Sequence, residues 1–205
     1  MNLAEFTENL RNIATDEELY DYCRKYVLHG TPYVFNGNDE YFYDFRKRIA
    51  KNFNIPFHEI YITGSGKLGF SPFKNKVFDL DSDIDVAIIS PILFENIMRD
   101  ISLYQMKFRA NRRTVREEEL VMYHDFLEYV ALGWIRPDKL PTSFQMHAFK
   151  SDWFKFFNSI SYGKSEVGNY KVNAGVFKSY EHLENYIVSG LSSVKRRRIV
   201  RKVNG

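Results

Sequence analysis

The chain of 205 residues has a single cysteine, Cys23, which excludes an internal disulfide and a cysteine-rich zinc site. A reduced, cytoplasmic compartment is the simpler expectation. No apolar run approaches the ~18 residues of a membrane span, and the opening MNLAEFTENLRN has no signal-peptide core. Charge of one sign is also scarce. The formal net charge is +3, so the molecule as a whole is not a polycation, although its basic residues cluster locally. The histidines, His29, His58, His124, His147 and His182, lack metal-ligand spacing such as H-E-x-x-H, and each reads as a surface or hydrogen-bonded residue. There are no repeats and no low-complexity linker to divide the chain. Apolar and aromatic residues are plentiful: 44% of residues are hydrophobic and 17% aromatic, with 14 Tyr and 18 Phe. That is enough for one domain with a core rich in large rings.

Helix signals come first. Thr15-Asp16-Glu17-Glu18 is a capping-box pattern, and Leu19, Tyr22, Cys23, Tyr26 and Val27 follow at helical spacing. Cys23 lies on that apolar stripe and reads as packing. A second helix starts at Asn38-Asp39, with Tyr41, Phe42, Phe45, Ile49 and Phe53 inward. Its cations Arg46, Lys47, Arg48 and Lys51 suit a helix C-terminus or, alternatively, a positive rim for phosphates. Pro56 precedes a strand at 58–63. A helix is expected from about Ile92 towards Met106, then a basic passage, Lys107 to Arg113. A capping box at Thr114–Glu117 opens a helix to about Ala131, with Leu120, Tyr123, His124, Leu127 and Val130 on one side. Trp134 to Pro141 reads as a loop, Trp153 to Phe157 as a short aromatic helix, and Gly163 to Gly168 as a polar turn. Tyr170 to Phe177 alternates as a strand. Ser179 caps a final helix with the stripe Leu183, Tyr186, Ile187, Leu191 and Val194. Beyond it, Lys195-Arg196-Arg197-Arg198 and Arg201-Lys202 read as a solvated tail or as a nucleic-acid contact.

The chain is organised around Glu59 to Pro91, which reads as strand, glycine-rich loop, acidic approach and second strand. Asp79, Asp81, Asp83 and Asp85 are crowded together, and the last two interrupt an apolar run, Ile84 to Ile89. Carboxylates enter such a strand when they are paired or bind a metal. Alternate strand residues share a face, so Asp83 and Asp85 point one way while Ile84, Val86 and Ile88 point into a core. Two carboxylates about 7 Å apart along a strand can bracket a hard divalent cation. The loop Gly64-Ser65-Gly66-Lys67 is not a Walker loop, because Tyr61 and Leu68 stand where Gly and Ser/Thr are needed. Gly64, Gly66 and Gly69 match a dinucleotide fingerprint, but Pro72 blocks the helix that motif must open.

Strand, Gly64-Ser65, connection, then Asp83-Ile84-Asp85 inside Ser82 to Ile88 resembles the polymerase-beta-like nucleotidyltransferases, here a small bacterial member. The specific likeness spans about Tyr61 to Ile89. It implies a mixed α/β (α+β) fold in which helices flank a small twisted mixed sheet of the nucleotidyltransferase type. The expected layout is one domain over 1–205. It has a helical N-terminal segment (about 1–53), a core (about 54–106 and 169–200) and a helical middle region (about 107–168). The N-terminal and final helices would cover one sheet face, and the middle region would wall the cleft. The resemblance implies transfer of a nucleotidyl group from an NTP such as ATP to a hydroxyl on RNA, protein or another nucleotide, dependent on magnesium or manganese. Asp83 and Asp85 would hold the metal, and Gly64, Ser65, Gly66 and Lys67 the nucleotide's phosphates.

Active members usually add a third carboxylate from a neighbouring strand. The corresponding strand here, Tyr170 to Phe177, has no acid, and Asn173 stands where one is expected. Asn is a neutral oxygen ligand and cannot act as a base. Asp79 or Asp81 is a candidate substitute; Asp152 and Glu166 both precede the strand. The alternative expectation is therefore a catalytically inactive module of the same fold. It would bind nucleotide, nucleic acid or a partner protein, as in a phage-defence or toxin–antitoxin system, with no membrane involvement.

Overall fold

The computed structural model describes residues 1–110, 117–140 and 146–203. Its centre is a four-stranded mixed sheet in the order β1 (Ile60–Thr63), β4 (Asp83–Ile89), β6 (Lys171–Phe177), β5 (Trp134–Ile135). β4 runs antiparallel to β1 and parallel to β6, and β5 pairs antiparallel with β6. A second, two-stranded hairpin joins β2 (Phe70–Ser71) to β3 (Lys76–Val77) between β1 and β4. The chain is thus α+β, as expected from the sequence.

Strand alternation divides the side chains into two cores. On one face Ile60, Ile62, Ile84, Val86, Ile88, Val172 and Val176 are buried. They pack against α3 (Asp39–Phe53), α5 (Pro91–Ala110), α6 (Glu117–Ala131) and α7 (His147–Ser159). Phe53 anchors α3 to α7, stacking on Phe157 at 5.8 Å between ring centroids and tilting on Trp153 at 5.0 Å. On the other face Ala87, Ile89 and Phe177 meet α1 (Leu3–Asn12), α2 (Asp16–Tyr22) with its π-helical extension Cys23–Leu28, and α8 (Tyr180–Val203). Arg24 ties the π-helical extension to α8 through Glu184, with Nε donating at 2.7 Å and Nη2 at 3.2 Å. Cys23 is fully buried in this core, and burial pushes its thiol up to about 12, which keeps it protonated and inert.

Several expectations need correction. Trp134-Ile135 is an edge strand, not a loop; Trp and β-branched Ile suit that position, and the middle region is therefore not wholly helical. α1 carries a capping box of its own, Asn2 with Glu5, within the segment expected to be helical only in outline. On α6 the inward side is taken by Phe126 with Tyr123 and Val130, leaving Leu120, His124 and Leu127 exposed. Both sets have helical spacing, so periodicity alone could not choose between them. On α3, Tyr41 is exposed, because Phe42 and Phe45 already fill the space beside Phe35. The α3 cations are engaged locally: Arg46 lies over Phe42 and Phe57, Lys47 over Tyr43, and Arg48 pairs with Glu166. The basic C-terminal run is helical, since α8 continues through Val203; Arg196 and Arg197 are exposed, and the Lys195 ammonium donates to the Ile13 carbonyl of the α1–α2 connection. The capping box at Thr114 and the basic residues from Asn111 to Arg113 lie outside the described residues. Among the described residues no helix is long and apolar enough to cross a membrane.

Phe45 is fully buried between α3 and the sheet. Truncating it removes a large ring from a packed site, so Phe45→Ala is expected to cost about 3–5 kcal/mol in urea unfolding at equilibrium. A loss below about 1 kcal/mol would mean that this core collapses around the gap.

Candidate functional site

The site lies where the second face runs out of apolar residues. Along β4, Ala87 and Ile89 are covered by helices, while Asp85 and Asp83 are solvent-accessible at the strand's start. Parallel register with β6 sets Asp83 beside Lys171 and Asp85 beside Asn173. Antiparallel register with β1 sets Asp85 beside Thr63, whose hydroxyl donates to the Asp85 carbonyl at 3.3 Å. Paired neighbours in register share a face, so these side chains converge.

The chain turns immediately after Thr63. Gly64 has φ +63°, and a Cβ placed there would lie 2.8 Å from Asp85 Oδ2. Only glycine lets the backbone take this left-handed conformation so close to a carboxylate. Glycine is thus required at Gly64 for two reasons, and it joins the loop to the acidic pair. The expected loop is in fact a single helical turn, α4 (Gly64–Leu68). Gly64 is exposed at its start and Ser65 is half-buried beside it.

Gly66 and Lys67 both have packing roles. Gly66 is buried, and a Cβ there would come within 3.1 Å of Ile84 Cδ1, so it allows α4 to lie on β4. Lys67 is buried too. Its ammonium donates to the carbonyls of His29 and, at 2.6 Å, Gly30, and burial lowers its pKa to about 8. It ties α4 to the turn after the π-helical segment and is not available to a triphosphate.

Asn173 stands where the sequence placed it. Its Nδ2 donates to Asp83 Oδ2 at 2.9 Å. The other acids stand apart. Asp79 pairs with Lys76 at 2.7 Å and accepts from the Ser82 hydroxyl and the Asp81 backbone, which shapes the approach to β4. Glu166 is taken by Arg48, and Asp152 lies on α7, on the opposite side of the sheet. Among the described residues no group of three or more His, Cys, Asp or Glu could hold a metal. The donors at the site are therefore two carboxylates and an amide. That set fits magnesium, which is commonly held by one or two carboxylates and completed by water and substrate phosphates.

Although Asp85 reaches solvent, protein surrounds its carboxylate closely. This desolvation, with repulsion from Asp83, pushes its pKa from 3.8 up to about 6 against the pull of Lys74, Arg136 and Lys171. A cation between the two carboxylates would relieve the same strain. The three basic residues were not singled out in the sequence. Lys171 alone was legible there, two residues before Asn173 on one strand face. Arg136 follows Ile135, whose partner is Val176, and its guanidinium lies 5.3 Å from the Trp134 ring. Trp134 stacks on Phe177 at 5.1 Å and 9°, and its indole occupies the space that a side chain at Gly175 would fill. Tyr186 of α8 packs 4.6 Å from Trp134 and lies within electrostatic reach of Asp85. These rings form an aromatic wall on one side of the carboxylates.

No protein-family model, curated protein or solved structure matches the chain.

The raised pKa fixes a pH dependence. The folded chain holds the Asp85 proton more tightly than the unfolded chain does. That stabilisation is complete below 3.8 and is lost as pH rises through about 6. Ionised Asp85 is therefore a destabilising group at pH 8, so Asp85→Asn should raise Tm there and give little gain at pH 4. Thermal melts across this range check it; a gain independent of pH would contradict the assignment.

Proposed function

We propose that the chain is a nucleotidyltransferase of the polymerase-beta-like type. It would move a nucleotidyl group from a nucleoside triphosphate to a hydroxyl acceptor on RNA, protein or another nucleotide. The observation that carries this reading is the apposition of Gly64 and Asp85. It brings a Gly-Ser turn and a carboxylate pair, far apart in sequence, to one place. The mixed sheet with antiparallel β1–β4 and parallel β4–β6 pairing supports it.

In this reading Asp83 and Asp85 hold magnesium or manganese. When bound, the cation offsets phosphate charge and lowers the pKa of an attacking hydroxyl. Gly64 offers backbone without a side chain in the way, and the Ser65 hydroxyl offers a donor to a phosphate oxygen. Asp85 is mostly ionised at neutral pH, since its pKa is about 6, and so is ready to act as a ligand. Asn173 orients Asp83 through its amide donor but cannot take a proton from the acceptor. The exposed Arg196 and Arg197 of α8 offer positive charge that an RNA acceptor could use.

Asn173 also favours a second reading, a module that binds nucleotide without turning it over. The two are separated by incubating the protein with each labelled NTP, manganese or magnesium, and cellular RNA or lysate. Label transfer that disappears in the Asp83→Ala/Asp85→Ala variant supports the enzyme. Transfer that survives the double substitution overturns the metal assignment, and nucleotide binding without transfer supports the module.

Asn173→Asp sharpens the same question. A third carboxylate beside Asp85 should tighten manganese binding by about tenfold, given the cost of leaving charges unpaired and the gain on pairing them. In the enzyme reading it alters an existing transfer rate; in the module reading it is the change most apt to create one. Manganese titration by calorimetry, together with the transfer assay, measures both.

A further inference from the structure

The charged side chains around the start of β4 and β6 have unequal obligations. Asp83 is hydrogen-bonded by Asn173, and Asp85 has no hydrogen-bond donor from a side chain among the described residues. Around them lie three cations, and one is already committed. Arg136 donates through Nη2 at 2.8 Å and Nε at 3.2 Å to Asp138, and through Nη1 at 3.2 Å to the Tyr129 hydroxyl. Its fork is filled. Lys74 and Lys171 differ. Both are exposed, and among the described residues neither ammonium makes a hydrogen bond or a close ion pair. Lys171 is fixed by register beside Asp83 at the first residue of β6.

Lys74 is brought to the site by the β2–β3 hairpin, which has a definite seat. Phe73 packs on α8 at Gly190, where a Cβ would lie 2.6 Å from its Cζ. Ser71 accepts from the Lys74 backbone N–H at 3.2 Å, and Asn75 turns the chain with φ 52°. The neighbouring Lys76 is spent on Asp79 at 2.7 Å. So the hairpin brings one uncommitted ammonium, Lys74, within electrostatic reach of Asp85, while register sets another, Lys171, beside Asp83.

We infer that Lys74 and Lys171 form a clamp for the polyphosphate of the substrate, taking the role that the sequence assigned to Lys67. This rests on the reading of Asp83 and Asp85 as a cation site. Two carboxylates alone repel a polyphosphate. With two lysines beside them the bare site is neutral, and a cation–polyphosphate complex can enter with each charge met. The lysines act on the phosphates and the carboxylates on the cation, so the two functions are separable by mutation. The clamp recognises the polyphosphate and not the base, so it accepts inorganic tripolyphosphate as well as an NTP.

The test measures binding of manganese alone, manganese with tripolyphosphate, and manganese with each of the four NTPs by calorimetry. The proteins are the wild type, Lys74→Gln, Lys171→Gln, their double variant, and a control with Lys51→Gln and Lys155→Gln on α3 and α7. The clamp predicts that the double variant binds manganese at least as tightly as the wild type does, because two positive charges beside the carboxylates are gone. Its affinity for tripolyphosphate and for the bound NTP should fall about tenfold or more, with a smaller loss in each single variant and none in the control. Wild-type affinity retained in the double variant overturns the clamp and leaves the cation-site reading standing. An equal loss in the control reduces the effect to net charge and also overturns the clamp. A wild type that binds neither manganese nor any NTP overturns the clamp and the underlying reading together.

Discussion

The parallel pairing of β4 with β6 is the constraint on which the site depends. It sets Asp83 beside Lys171 and Asp85 beside Asn173, and continues through Ile84–Val172 and Ile88–Val176 into the core. One register therefore serves two purposes. A slip of one residue would turn Ile84, Val86 and Ile88 out of the buried face and the aspartates into it. The core that fixes the register thus also fixes the acidic pair, and no separate device is needed to hold the two carboxylates side by side. The long path between the strands, through α5, α6, β5 and α7, fills one face and contributes the edge strand that carries Trp134 towards the cleft.

The second constraint is local. α4 must leave β1 sharply enough to return its start to Asp85. Gly64 supplies the left-handed turn, Gly66 lets the helical turn lie on Ile84, and Lys67 anchors the other end to the His29–Gly30 carbonyls. A lysine in a Gly-Ser-Gly-Lys loop looks like a phosphate ligand because its charge is all that the sequence displays. Burial reverses that role. An ammonium removed from water needs fixed acceptors, and backbone carbonyls of a neighbouring turn provide them.

The acidic pair, the Gly-Ser turn and the Asn173 position were legible because each follows from a period of two along a strand or from a motif within a short span. The α+β class was legible for the same reason, through three strand segments separated by helical ones. What could not be read was set by tertiary choice. α6 offers two stripes of equal helical merit, and the core took Tyr123, Phe126 and Val130. β5 is two residues long and is a strand only because β6 has a free edge for it. Arg136 lies far from the aspartates in sequence and reaches them only through an edge strand, and Lys74, though close in sequence, reaches them through a hairpin whose seat no spacing rule gives.

The remaining question turns on charge. An acidic residue at position 173 would have placed three carboxylates about one shared opening, each raising the pKa of the others, and the cluster would need a cation to be stable. Asn173 removes that demand. Its amide satisfies an Asp83 oxygen directly, so the chain can fold with the opening free of metal, and Asp85 keeps a raised pKa. The same hydrogen bond competes with any cation for the Asp83 oxygen. Occupancy then depends on what else arrives with the cation. A polyphosphate that supplies ligand oxygens, and is itself met by nearby ammonium groups, shifts the balance towards binding. A cation on its own gains little. The arrangement therefore favours joint binding of metal and nucleotide over a resident metal, and this coupling follows from the identity of one side chain at the β6 position beside Asp85.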